Sequence, residues 1–449
     1  MLDTPGQSEK NIVICCDGTG NEFGECNSNV VKLYSAMIVN NEQVGYYHPG
    51  VGTMGAPNKR TRLGKAWSIV EGLAFGAGFM DNVESAYRYL MQQYNDGDRI
   101  YLFGFSRGSY TVRALAGILH AYGLLCRGNE GDVPYVLHMF MDDVQKARGK
   151  GKTSVSIQYA FKETFCHDVT LHFVGLWDTV SSIGWIYSPI RLLYSAQNPI
   201  VQTGRHAVSI DERRCFYTDN LWGPPLARNQ TPTLQKSQDI LQVWFAGVHS
   251  DVGGSYKQSE SALSNIALNW VLSEAEAAGL KVNCDRVRMI FGQPTQQKHA
   301  AAQLFAPPAQ PGIVHRSLKG LWWLLEILPH RYYDEDDGKE KWRIPLGRAR
   351  RVPNEAYVHS SVFNRMNNPP CKYHPKNLKS GEMVRLTAGP TVSGHSGSGT
   401  PEAELYIYKF PKESAYKTGA KLLLAAALAA GLSIAVAAIA MRSKFSPTL

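Results

Sequence analysis

Gly104-Phe105-Ser106-Arg107-Gly108 is a G-x-S-x-G pentapeptide set between an apolar run, "RIYLFGF", and a helical pattern in which Val112, Leu115, Ala116, Leu119 and Tyr122 share one face. Glycine at Gly104 and Gly108 lets the chain turn sharply from strand to helix, where any side chain would collide with neighbouring backbone. The turn projects the Ser106 hydroxyl at the sheet edge. The following helix aims its N-terminus at the same point and offers the amide of Arg107 to a developing oxyanion.

A serine hydroxyl is a weak nucleophile at neutral pH and needs a base, itself oriented by an acid. His249 is the candidate base, because it ends the apolar run of "LQVWFAGVHSDVGG" and precedes a flexible segment. Asp178, closing "LHFVGLWD", is the candidate acid. Competing acids are Asp251 and Asp211, the latter in "HAVSIDERR", where a structural ion pair with a neighbouring arginine is expected. The order Ser106, Asp178, His249 is the Ser…Asp…His order of α/β-hydrolases. This chemistry requires no metal and no organic cofactor.

Asp17-Gly18-Thr19 follows the first apolar run, "NIVICC". It matches part of the D-x-D-G-T of haloacid-dehalogenase-type phosphatases, but Cys15 stands where their nucleophilic aspartate would be. We read the loop as a second oxyanion contributor, its backbone N–H groups near Gly18 and Thr19 facing Ser106. The alternative is a glycine-permitted turn capped by Asp17.

These residues need a scaffold, and the pattern around them supplies one. Strands, each followed by the turn or polar residue that ends it, are expected within Asn11–Gly20, Gly45–Thr53, Arg99–Phe105, Val169–Val180 and Leu241–Gly254, with helices over Asp81–Gln93, after Ser106 and over Ala262–Gly279. Such alternation predicts an α/β fold: a mostly parallel sheet flanked by helices, with helical insertions at 150–240 and 285–370. Ligands sit outside the carboxyl ends of such strands, where Asp17, Ser106, Asp178 and His249 all fall. "SLKGLWWLLEIL" (Ser317–Leu328) reads as an apolar helix, either packed in the core or acting as a lid or interfacial element. The Ser/Gly-rich stretch Thr391–Glu404 reads as a linker.

Near the end, Leu422–Met441 is a run of twenty uncharged residues flanked by Lys417, Lys421, Arg442 and Lys444. As a helix it spans about 30 Å, the thickness of a bilayer's hydrocarbon core. It is read as a single C-terminal transmembrane anchor that leaves the enzyme facing the cytosol, although its nine alanines also suit a buried hairpin helix. The expected division is therefore a hydrolase domain over 10–370, a peripheral segment and linker over 371–416, and a membrane tail over 417–449.

The net charge of +9 suits an anionic partner, and a bilayer surface is one. The densest basic run, Arg343–Arg351, is broken by Pro345 and Gly347, and no nucleic-acid reading module is recognisable, so nucleic acid is not expected as a partner. Eight cysteines, including adjacent Cys15 and Cys16, show no CxxC or zinc spacing and read as buried thiols of a reduced compartment. The N-terminus lacks a basic start and an apolar core, so no cleaved signal peptide is expected and the chain would start in a cytosol.

Together, "VICCDGTGNEFG", "GFSRGSYTVRALAG", "VGLWDTVSSIG", "HAVSIDERR" and "WFAGVHSDVGGSY" resemble the α/β-hydrolase domain of the first class of type VI secretion lipase effectors, over residues 10–370. The resemblance implies an antibacterial phospholipase A acting on membrane glycerophospholipids. By motif it implies Ser106, Asp178 and His249 as the triad, and as partners an immunity protein or a component of the secretion apparatus. A rival reading is a catalytically silent member of the fold that binds or tethers a partner at a membrane.

Overall fold

The computed structural model describes residues 9–50 (22 excepted), 77–149, 151, 155–180, 192–226, 237–295, 312–334 and 339–378, with short strands at 184–185, 188–189, 382–385 and 405–409. The expected membrane run 422–441 and the linker 391–404 lie outside the described residues. Among the described residues, no helix is long and apolar enough to cross a membrane.

The core is a nine-stranded sheet. Its strands are β1 (Asn11–Cys16), β2 (Gln43–His48), β3 (Arg99–Phe105), β4 (Leu171–Trp177), β5 (Val201–Ser209), β6 (Asp239–Phe245), β7 (Ala356–His359), β8 (Glu382–Arg385) and β9 (Leu405–Lys409). They are ordered β8-β9-β7-β6-β5-β4-β3-β1-β2. The seven from β2 to β7 run parallel, whereas β9 and β8 pair antiparallel at one edge. Every residue of β1 is buried, as a strand covered on both faces requires. Its side chains alternate: Ile12, Ile14 and Cys16 enter one core, Val13 and Cys15 the other.

The first core is closed by α2 (Ala77–Gln93), α3 (Arg107–Tyr122) and α4 (Val133–Arg148). The second is closed by α1 (Asn29–Ala36), α7 (Ala262–Ala277) and α8 (Cys284–Ile290). A third cluster at the β5–β6–β7 side includes Val208, Trp244, Val358 and Phe363.

Several boundaries differ from expectation. The second strand, Gln43–His48, begins two residues before the expected Gly45, and the helix expected at 81–93 begins at Ala77. The stretch 150–240, read as an insertion, contributes the nine-residue β5 to the middle of the sheet. That strand was hidden because its sequence, "VQTGRHAVS", places Arg205 and His206 inside. Arg205 is neutralised by Asp239 and Glu274 at 2.7 Å each, and His206 Nε2 accepts from the Thr179 amide at 3.1 Å. The 285–370 stretch likewise supplies β7, and residues read as peripheral supply β8 and β9. The helix expected over Ser317–Leu328 is only Trp322–Glu326, and it leaves Leu321, Trp323, Leu324 and Ile327 exposed. All eight cysteines are unpaired, but only Cys15 and Cys16 are fully buried; Cys26 and Cys284 are exposed.

The strand order reverses between β1 and β3, so a crevice opens at their carboxyl ends. Register aligns those ends: Cys16 faces Gly104, Phe105 faces Trp177, Trp177 faces Ala207 and Phe245 faces Ser209. The residues that follow each strand therefore meet at one edge.

Candidate active site

Ser106 sits between β3 and α3 with φ 59° and ψ −123°, a conformation that costs energy outside glycine. Two close approaches explain the flanking glycines. A Cβ on Gly104 would lie 2.6 Å from the Ser109 backbone, and one on Gly108 would lie 2.1 Å from the Cys16 carbonyl oxygen. The elbow is thus wedged against the end of β1, and Ser106 is nearly buried.

His249 opens the short helix α6 (His249–Gly253) after β6. Its Nε2 lies 2.8 Å from Ser106 Oγ and its Nδ1 lies 2.5 Å from Asp178 Oδ2. The ring is stacked on Phe105 at 4.7 Å and receives the edge of Tyr217 at 4.7 Å. Burial lowers the His249 pKa, partly offset by Asp178. The imidazole is therefore held neutral and ready to accept a proton.

Asp178 follows β4 with φ 39° and is fully enclosed. Its Oδ1 accepts from the Ser209 amide at 2.8 Å and from Arg350 Nη1 at 2.6 Å; its Oδ2 also accepts from Arg350 Nη2 at 3.1 Å. Burial alone would raise its pKa, but Arg350 and His249 outweigh it and hold the carboxyl well below the usual range. A serine, a neutral imidazole and a fixed carboxylate in this order can deliver an activated oxygen nucleophile.

The other candidate acids are engaged elsewhere. Asp251 accepts from the amides of Val248 and His315 at 3.0 Å each and lies 2.5 Å from His315 Nδ1. Asp211 accepts from the Gly247 amide and from Tyr373 Oη, both at 2.7 Å; the arginine pairing expected there belongs to its neighbour Glu212, which holds Arg214 at 2.9 Å.

The first loop packs against the elbow, since a Cβ on Gly18 would lie 3.0 Å from Ser106 Cβ. Its organisation comes from Asp17, whose carboxylate accepts from Asn21, Ser28 Oγ and Tyr47 Oη and from the Gly18 amide at 2.7 Å. The Gly18 N–H, expected to face an oxyanion, is therefore directed at Asp17, which leaves the Thr19 and Arg107 amides as the candidate donors. Thr19 is exposed at the rim, whereas Arg107 begins α3.

A group of residues unmarked in the sequence reading surrounds this centre. Buried Glu212 accepts from the His249 amide at 3.2 Å and from Ser317 Oγ at 2.8 Å. Arg214 lies over the Tyr217 ring at 3.5 Å and the Trp322 ring at 5.0 Å. Glu326, fully buried, accepts from the amides of Cys215 and Gly347 at 2.7 and 2.9 Å. These contacts bind Ser317, Trp322 and Glu326 onto the loop 211–217 that touches His249, and Gly347 onto Glu326. Among the described residues, no group of three or more His, Cys, Asp or Glu side chains could hold a metal ion.

A solved structure of an uncharacterized protein from Pseudomonas aeruginosa is 20% identical and covers 66% of this chain with a TM-score of 0.36; the chain spans 49% of that protein. An uncharacterized protein of Saccharomyces cerevisiae is 25% identical over 562 residues, covering 84% of this chain and 81% of its own length. The family model "T6SS, Phospholipase effector Tle1-like, catalytic domain" matches residues 10–274, which include Ser106, Asp178 and His249 but end well short of the expected 370. The chain belongs to this Tle1-like family of type VI secretion phospholipase effector catalytic domains.

Proposed function

We propose that the protein is a serine phospholipase of the A type. Ser106 Oγ attacks the acyl carbonyl of a glycerophospholipid while His249 Nε2 takes its proton. Asp178 holds the ring and supports the imidazolium, and the Arg107 and Thr19 amides receive the oxyanion. His249 then returns the proton to the departing lysophospholipid alkoxide. Water, deprotonated by the same imidazole, cleaves the acyl-serine and frees a fatty acid. The observation that carries this reading is the chain of short contacts from Ser106 through His249 to Asp178, at 2.8 and 2.5 Å.

Lipid as the substrate is supported by the family and by the apolar side chains beside the site. Trp322 packs on Tyr217, which touches His249, while its neighbours Leu321, Trp323 and Leu324 face solvent. An apolar rim of this kind suits an acyl chain leaving a bilayer. The run 422–441 is proposed to add a bilayer anchor; the family supports delivery as an effector, and we propose an antibacterial role matched by an immunity protein.

The test is incubation with a defined phospholipid mixture, followed by identification of the products, alongside labelling by a fluorophosphonate. Free fatty acid and lysophospholipid, with label on Ser106, are expected. Absence of both from folded protein would favour the catalytically silent, membrane-tethered reading.

A further inference from the structure

We propose that Arg350 is a positioning residue of this active site, supplied from beyond the family's catalytic segment, which fixes the Asp178 carboxylate and balances its charge. The inference rests on the reading of Ser106, His249 and Asp178 as the reacting triad. The match to the family ends at residue 274, yet Arg350 lies 172 residues from Asp178 in sequence and binds both of its oxygens. A two-point guanidinium contact sets the plane of a carboxylate as well as its charge.

The remaining contacts of Arg350 tie that plane to the frame. Nη1 donates to Ser209 Oγ at 2.8 Å at the end of β5, and Nη2 donates to the Tyr217 carbonyl at 2.6 Å. Tyr217 in turn covers the His249 ring. The backbone is held as well: Asn377 Nδ2 donates to the carbonyls of Arg350 and Ile210 at 3.1 and 2.8 Å, and adjoining Val352 lies in the third core cluster. Arg350 is buried and its two terminal nitrogens are engaged by Asp178, Ser209 and Tyr217, so its action runs through Asp178.

A buried carboxylate without a counter-charge stabilises the imidazolium beside it and makes the base too easily protonated. Other charges face the pair: Glu212 and Arg214 act on His249, while Asp219 and His206 lie near Asp178, with Arg113 beside His206 and Arg343 beside Asp219. Glu212, Asp219 and His206 also sense Arg350, so the variant that keeps its charge, Arg350→Lys, is the control for their response.

The experiment uses the full chain and a short soluble ester, with active sites counted by fluorophosphonate. Arg350→Met is expected to lower kcat about 10- to 100-fold with KM changed less than threefold, and to move the acidic limb of kcat/KM up by about one pH unit. Arg350→Lys, which keeps the charge but not the two-point contact, should lower kcat while the limb stays near the wild-type position. In an Asp178→Asn background, Arg350→Met should cost less than threefold further, because both changes disable one unit. An unmoved limb with kcat within threefold overturns the proposal, as do losses that multiply in the double variant. If Arg350→Met fails to fold, the Lys variant decides, and a wild-type kcat in it overturns the proposal. Hydrolysis that survives Ser106→Ala would instead sink the triad reading, a distinguishable result.

Discussion

The amide of Ser106 donates to the carbonyl of Trp177 at 3.0 Å, so one inter-strand hydrogen bond ties the residue at the elbow to the residue before Asp178. Ser109 Oγ donates to the same carbonyl at 3.2 Å. Ser106 and Asp178 are thus spaced by the β3–β4 ladder, and backbone sets their separation.

Because the ladder and the glycines shape the elbow, Ser106→Ala should abolish ester hydrolysis by several orders of magnitude while leaving the unfolding midpoint nearly unchanged. Gly108→Ala should instead lower both activity and the unfolding midpoint, since its Cβ would meet the Cys16 carbonyl at 2.1 Å. Circular dichroism melts and soluble-ester kinetics separate the two. A Gly108→Ala protein as stable as wild type would contradict the close approach.

Asp178→Asn should be far more damaging than Asp251→Asn. The amide cannot stabilise the imidazolium and presents the wrong hydrogen-bonding partner to His249; a comparable change in a serine protease cost ~10⁴ in turnover. Asp251 instead holds His315 and the Val248 amide, so its replacement should act mainly on stability. Parallel kinetics and melts of the two variants decide it, and a larger loss of kcat in Asp251→Asn would reverse the assignment.

As the proposed base His249 must be neutral, and burial lowers its pKa from the ordinary value of 6.5. Activity is therefore retained above that lowered pKa and lost as pH falls through it. The acidic limb of kcat/KM for a soluble ester should have its midpoint below pH 6.5. A midpoint above pH 7 would mean that Asp178 outweighs desolvation.

Much of the candidate site is legible in the sequence, because apolar runs that stop at a polar residue mark the carboxyl ends of parallel strands. Ser106, Asp178 and His249 each follow such a run, and the sheet brings those ends together. Arg350 carried no such mark: within Arg343–Arg351 it looks like one arginine on a solvated basic face, and its partner is remote in sequence. Strand β5 escaped because its inward Arg205 and His206 break the apolar pattern, their partners being Glu274, Asp239 and the Thr179 amide. Local periodicity reports burial of apolar groups and is silent where polar groups are buried in pairs.

Lys32, in α1, is fully buried with Nζ donating to Asn265 Oδ1 at 2.8 Å, and burial pushes its pKa down to about 7. In the unfolded chain it protonates near pH ~10.4. Between those values the unfolded state binds the extra proton, so this residue's contribution to stability rises with pH and falls towards neutrality. Lys32→Met should therefore stabilise the fold at pH 7 by about 1–3 kcal/mol, after allowing ~1 kcal/mol for the lost hydrogen bond. The gain should shrink as pH approaches 10. Urea midpoints of both proteins across that range test it, and a pH-independent difference would show that Lys32 is charged in the fold.

The last prediction separates the two elements proposed to meet the membrane. Leu321, Trp323 and Leu324 are exposed on the segment that Glu326 binds to the site, at 61%, 45% and 57% of their full surfaces. Replacing all three with serine removes apolar area from the face proposed to meet lipid without touching Trp322, which packs on Tyr217. Hydrolysis of vesicle phospholipid should fall at least tenfold, whereas a short soluble ester should be cleaved at the wild-type rate, because apolar burial drives interfacial contact and not the chemical step. Truncation after Tyr416 should act differently. It should release the protein from carbonate-washed membranes, because it removes the only uncharged run of twenty residues, and should leave soluble-ester turnover intact. A truncated protein that remains in the membrane pellet would transfer anchoring to the 321–324 face. A triple-serine variant with unchanged vesicle activity would leave that face no part in meeting lipid.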